Sequence, residues 1–216
     1  MTKTKNKKTS KSNLKKINTD SGFQNTSWSF ELDAIHQYAF WNDFLSKEEC
    51  NRIVKQGKEL RLKPGGVGTF NEQKEIRQSS ISWLYPNVEN AWLFRRATDA
   101  ITNLNSRFFK FNISGLNEGF QFTNYKYPHG QYGKHVDRGF DLTIRKLSLS
   151  IQLTDPKKYK GGDLKLYVDS AKEGLTMEKK QGTLVLFPSF TMHEVMPLTK
   201  GERNSLVAWV TGKAFE

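Results

Sequence analysis

Cysteine is nearly missing from this 216-residue chain: Cys50 stands alone, which excludes an intrachain disulfide and any zinc site built on several thiolates. Histidine is almost as scarce, at His36, His129, His135 and His193, so imidazole chemistry must draw on those four. No stretch is long and apolar enough to cross a membrane, and the first residues lack the apolar segment of a secretory signal. Apolar residues make up only 36%, so a polar tail or long loops must accompany the packed part. Acidic residues are missing from positions 1–16, which are rich in lysine. Much of the net charge of +12 therefore sits in a solvated tail, at most a weak arm for nucleic acid or another acidic partner. These absences predict a cytoplasmic protein with a basic, disordered tail over residues 1–27 and one domain over 28–216. The oligomeric state is left open.

The chain after the tail carries short apolar runs at Trp28–Leu32 and Tyr38–Trp41, each suited to a strand. Ser46 followed three residues later by Glu49 reads as a capping box and predicts a helix from Lys47 to about Leu60. Its inner face would be Cys50, Ile53, Val54 and Leu60, which makes Cys50 a small core residue. Lys63–Thr69 reads as a flexible loop whose glycines lack the following helix that a phosphate cradle needs. Helical spacing of Trp92, Leu93, Ala97, Ile101, Leu104 and Phe108 predicts a second helix over 88–109. Strands are expected near 119–126, 133–137, 145–154, 163–169, 182–187 and 203–211. Two helices ahead of many short strands indicate an α+β, mainly β architecture, with helices packed on one face of a mostly antiparallel sheet or barrel.

Two of the four histidines stand in a context that carries chemistry. His135 and Asp137 sit two residues apart on an expected strand, where alternate side chains share a face and both can reach one ion. His193 follows the turn-forming Pro188–Ser189 pair, which could return it across the sheet. Two imidazoles and one carboxylate on one face of a metal leave three octahedral positions open, as Fe(II) requires to take a bidentate cosubstrate and then O2. Arg203 opens an apolar strand ten residues later, and an arginine pointing into a barrel needs an anion. The distal carboxylate of 2-oxoglutarate is such an anion, held bidentately by a guanidinium. Tyr125 could add a hydroxyl to the same cosubstrate, although a core tyrosine explains it nearly as well. His129, between Pro128 and Gly130, belongs in an exposed turn; Tyr132 is structural or part of the mouth. Gln152 should face the pocket, and Arg77 and Trp83 could line a groove.

These motifs together resemble the prolyl-4-hydroxylase-like branch of the Fe(II)/2-oxoglutarate dioxygenases. Asn124-Tyr125, Gly130, Tyr132 and His135-x-Asp137 are similar to that family's lead into its metal motif. The Leu147–Leu153 strand, the Gly161-Gly162-Asp163-Leu164 turn, the Gly182–Ser189 run with His193, and Thr199–Trp209 around Arg203 resemble the segments that follow. The segment Asp43–Cys50 resembles the opening of the family's first long helix, so the likeness spans roughly residues 38–212. It implies a double-stranded β-helix, or jelly roll, with helices on the major sheet. It also implies a dioxygenase that uses Fe(II), 2-oxoglutarate and O2, with ascorbate as an accessory reductant. Such an enzyme would release succinate and CO2 while hydroxylating a C–H bond, most naturally of a prolyl residue in a peptide or protein. On this reading His135, Asp137 and His193 hold the metal, and Arg203 with Tyr125 holds the cosubstrate.

Two other readings compete. The basic tail suggests an oxidative demethylase of nucleic acid, whose mark would be a basic groove interleaved with stacking aromatics. A non-enzymatic jelly-roll module with a structural metal is the other, and it meets the difficulty that closed zinc sites use four ligands, commonly cysteines.

Overall fold

The computed structural model describes residues 35–66, 76–139, 144–168 and 172–213. Residues 35–216 form one unit; the tail over 1–27, its boundary and the strand expected over Trp28–Leu32 lie outside the described residues. The order is β1 (Ala39–Trp41), α1 (Lys47–Glu59), β2 (Lys63–Pro64), β3 (Arg77–Gln78), β4 (Ser80–Leu84) and α2 (Ala91–Leu104). Then come β5 (Gly115–Leu116), β6 (Phe120–Lys126), β7 (Gln131–His135), β8 (Arg145–Gln152), β9 (Tyr159–Gly161) and β10 (Leu164–Tyr167). The chain closes with β11 (Leu175–Thr176), β12 (Leu184–Pro188), β13 (Met192–Val195) and β14 (Leu198–Thr211).

Local chemistry accounts for both helices. Ser46 Oγ accepts from the Glu49 N–H at 3.2 Å, and the Glu49 carboxylate accepts from the Ser46 N–H at 2.9 Å, so the capping box is complete. Cys50 and Ile53 are buried as expected, but Leu60 is exposed and the third buried position of α1 is Gly57. There the helix presses on β6: a Cβ at Gly57 would lie 2.3 Å from Phe122 Cγ. Gly57→Ala should therefore reverse the usual helix preference of roughly 1 kcal/mol for alanine. We expect a net loss of about 1–3 kcal/mol by overpacking, read from chemical denaturation. The second helix starts at Ala91, later than the expected 88, because Asn87 and Asn90 exchange side-chain-to-backbone hydrogen bonds of 2.9 and 3.0 Å ahead of it. It also ends early, at Leu104, and gives way to a π-helical turn over Asn105–Phe109.

The strands form two sheets. One runs β1-β12-β8-β14-β6-β4-β2, with β5 and β9 also paired to β14; the other runs β11-β10-β13-β7-β3, and every pairing is antiparallel. Lys63–Pro64, expected to be loop, thus forms an edge strand on β4, and β14 begins at Leu198, ahead of the expected 203. The two-residue alternation of the central strands sorts their side chains. Leu147, Leu149 and Ile151 of β8, Leu206, Ala208 and Val210 of β14, and Phe120 and Phe122 of β6 pack with the helices in the main core. Their neighbours face the other way. Ser148 and Ser150 of β8, Arg203, Ser205, Val207 and Trp209 of β14, and Gln121, Thr123 and Tyr125 of β6 line a cavity that also touches the second sheet.

Candidate active site

The second sheet carries both histidines that matter. His135 ends β7, and His193 lies directly opposite it on β13. Asp137 is not on that strand, as its spacing from His135 led us to expect, but just past its end. Its position is set by the turn after β12: the Ser189 carbonyl accepts from the N–H groups of Asp137 and Arg138, each at 3.0 Å. The three side chains converge. Asp137 Oδ1 lies 3.7 Å from His135 Nε2, and Asp137 Oδ2 lies 3.5 Å from His193 Nε2. One donor atom from each of the three falls within 4.8 Å of the others.

The tautomers follow from the second ring nitrogens. His135 Nδ1 meets the Gly133 carbonyl at 2.7 Å and His193 Nδ1 meets the Thr191 carbonyl at 2.9 Å. A carbonyl only accepts, so each Nδ1 carries the proton and each Nε2 presents its lone pair toward Asp137, as a metal requires. Tyr132 stacks on His135 at 3.6 Å between ring centroids, and Phe187 meets His193 edge-on at 4.9 Å. These rings pack against the two imidazoles and restrict their planes. Burial would raise the Asp137 carboxyl, but His193, His135 and the Ser148 hydroxyl outweigh it and hold the group below its usual range.

The His135 imidazole is pushed down to about 4, by burial first and by His193 second, against the pull of Asp137. The unfolded imidazole, with an ordinary value near 6.5, takes a proton that the folded one refuses. The contribution to stability is complete above pH 6.5 and is lost as the pH falls toward 4. Melting of the metal-free protein from pH 7 to 4.5 should show this decline, and His135→Ala should flatten it.

The cavity in front of the triad measures about 560 Å³. Arg203 lines its inner wall at 1% exposure. Nη2 donates to Gln152 Oε1 at 2.9 Å and Nη1 to Ser205 Oγ at 3.4 Å, both neutral partners, while Nε has none among the described residues. Gln152, expected to face the pocket, does not line the cavity itself but meets the guanidinium that does. Tyr125 is buried under the guanidinium, whose carbon lies 5.4 Å from its ring centroid. Burial pushes the Tyr125 hydroxyl up, which keeps it protonated and able to donate. Arg77 and Trp83 line the same cavity, whereas His129 is exposed in its turn.

Sequence reasoning passed over Ser148, Ser189, Glu118 and Arg145. Arg145 pairs with Glu118 through bonds of 2.8 and 2.7 Å and lies 3.8 Å from the Trp209 ring centroid. A signal existed for Ser148: serines alternating with leucines on a buried strand must face something polar.

Two imidazoles and a carboxylate converging in a two-sheet, mainly β protein are the donor set of non-haem Fe(II) oxygenases. Residues 120–211 match the family model of the 2OG-Fe(II) oxygenase superfamily. It is 38% identical over 82 residues to a PKHD-type hydroxylase of Synechococcus sp., a stretch covering 38% of this chain and 36% of that relative. Among solved structures it is similar to a prolyl-4-hydroxylase of Pseudomonas putida, with a TM-score of 0.67 and 23% identity over 82% of this chain and 94% of the other. It is also similar to a prolyl hydroxylase of Trichoplax adhaerens in complex with a hypoxia inducible factor peptide fragment, with a TM-score of 0.70 and 19% identity over 81% and 83% of the two chains. At such identities the structural likenesses bear on the fold.

Proposed function

We propose that the protein is an Fe(II)- and 2-oxoglutarate-dependent hydroxylase of a prolyl residue in a peptide or protein, built as a double-stranded β-helix. The observation that carries this reading is the convergence of His135, Asp137 and His193 on a cavity shared with a buried arginine whose Nε has no partner among the described residues. The residues fit the groups implied. Two Nε2 lone pairs and one carboxylate suit Fe(II), and an incompletely satisfied guanidinium in a closed wall suits a dicarboxylate. Bound iron would supply oxidative decarboxylation of 2-oxoglutarate to succinate and CO2, coupled to hydroxylation of the substrate C–H bond.

The chain's own residues do the rest. His135, Asp137 and His193 hold the metal and leave the cavity side open. Arg203 and Tyr125 fix the distal carboxylate of the cosubstrate, with Gln152 and Ser205 orienting the guanidinium. Tyr132 and Phe187 limit the access of water to the two imidazoles. The peptide reading draws on the cavity wall, where Trp83 lies 6.1 Å from Trp209 and stacks at 6.4 Å on the exposed Tyr85. Aromatic ridges of this kind accept the flat, apolar face of extended proline-containing chains. The nucleic-acid reading rests on the lysine-rich tail, which lies outside the described residues.

Anaerobically reconstituted Fe(II) protein, given 2-oxoglutarate and then O2, should release succinate. With a library of proline-containing peptides it should add one oxygen atom to a prolyl residue, read by mass spectrometry. Succinate without peptide oxidation, together with oxidation of methylated nucleic acid, would sink the prolyl assignment.

A further inference from the structure

Ser148 is wholly buried in mid β8 and faces the cavity, away from the leucines on either side of it. Its Oγ lies 2.7 Å from Asp137 Oδ2 and 3.0 Å from Ser189 Oγ. An ionised carboxylate only accepts, so the single hydroxyl proton of Ser148 goes to Asp137, and Ser189 donates to Ser148 in turn. The carbonyl of the same Ser189 holds the Asp137 and Arg138 N–H groups, and its own N–H donates to the Lys146 carbonyl at 2.9 Å. Asp137 is therefore clamped at its backbone and at one oxygen by a serine pair from β8 and the turn after β12.

We propose that Ser148, backed by Ser189, is a positioning residue that reserves Oδ2 of Asp137 and leaves Oδ1 alone for the metal. This rests on the reading of the triad as the metal centre. A carboxylate with both oxygens free can bind an ion through both and so fill a further coordination position. With two imidazoles present, that would leave two open positions where a chelating 2-oxo acid and O2 require three. The hydroxyl proton on Oδ2 makes that second contact unfavourable, because the oxygen must give up a charge-assisted hydrogen bond to form it. Ser148 thus keeps the site open without touching substrate.

The test is titration of the metal-free full chain with Co(II), whose visible bands report both affinity and coordination geometry. Ser148→Ala should bind about 10-fold more weakly, in line with the loss of other groups that orient metal ligands, and its band intensities should change. Ser148→Thr, which keeps the hydroxyl, should return both toward the parent. Ser189→Ala leaves the cavity wall untouched and should fall between them, so it gives the same test if Ser148→Ala folds poorly. A Ser148→Ala protein with the parent's affinity and spectrum would overturn the proposal. So would a well-folded Ser148→Thr protein that restores neither. His135→Ala separates the two levels of the argument. If the parent binds Co(II) and His135→Ala does not, the metal centre stands whatever Ser148→Ala shows. If the parent binds no Co(II), both readings fall.

Discussion

Replacing His135, Asp137 or His193 by alanine is expected to reduce succinate formation from 2-oxoglutarate to background while the protein stays folded. The three side chains supply the whole donor set in the described residues, one atom from each within 4.8 Å, so removing any one leaves two ligands. The fold should tolerate the change because none of the three belongs to the hydrophobic clusters that pack the sheets. Loss of one neutral hydrogen bond, such as that from His135 Nδ1 to the Gly133 carbonyl, costs about 1 kcal/mol. Asp137→Asn is the more informative variant. It preserves shape but removes the charge and one acceptor, so turnover should still disappear while circular dichroism and melting stay close to the parent. Full activity in His193→Ala, measured with iron in excess, would show that the metal is held elsewhere.

Arg203→Met should leave the maximal rate near that of the parent but raise the 2-oxoglutarate concentration for half-maximal turnover by roughly 100-fold, or about 3 kcal/mol. The guanidinium is almost fully buried and, among the described residues, is hydrogen-bonded to the neutral Gln152 and Ser205 and to no carboxylate. Such an arrangement is costly unless an anion arrives, and the cavity it lines is where one would enter. Methionine fills a similar volume and removes the buried charge, which limits the destabilisation to the unpaired Gln152 carboxamide. Steady-state kinetics with 2-oxoglutarate varied at saturating Fe(II) would read the effect. An unchanged cosubstrate requirement would assign Arg203 a purely structural role.

What could be read from the sequence was what depends on neighbours along the chain. The capping box at Ser46 is a contact over three residues, and it formed as expected. The alternation along β8 and β14 follows from the pleat of a single strand, so Gln152 and Arg203 could be placed on a polar face before any partner was known. The His135-x-Asp137 pair and a later histidine were legible as ligand types at a spacing.

How those three side chains meet was not legible. Asp137 reaches the site because the Ser189 carbonyl draws its backbone back, not because it shares a strand face with His135. His193 reaches it because β13 crosses to the second sheet and pairs with β7, opposite His135. Gly57 is buried by the approach of Phe122 from β6, and the edge strand at Lys63–Pro64 exists only because β4 is there to receive it. Ser148 gained its role from a carboxylate on another segment and a serine in a turn. The sequence by itself determined the elements, their faces and the chemical types of the candidate ligands, since these depend on a few adjacent residues. Only the tertiary structure decided the pairing of strands, the clamp on Asp137 and the burial of Arg203 against neutral partners, because each depends on contacts between segments far apart in the chain, which local pattern does not encode.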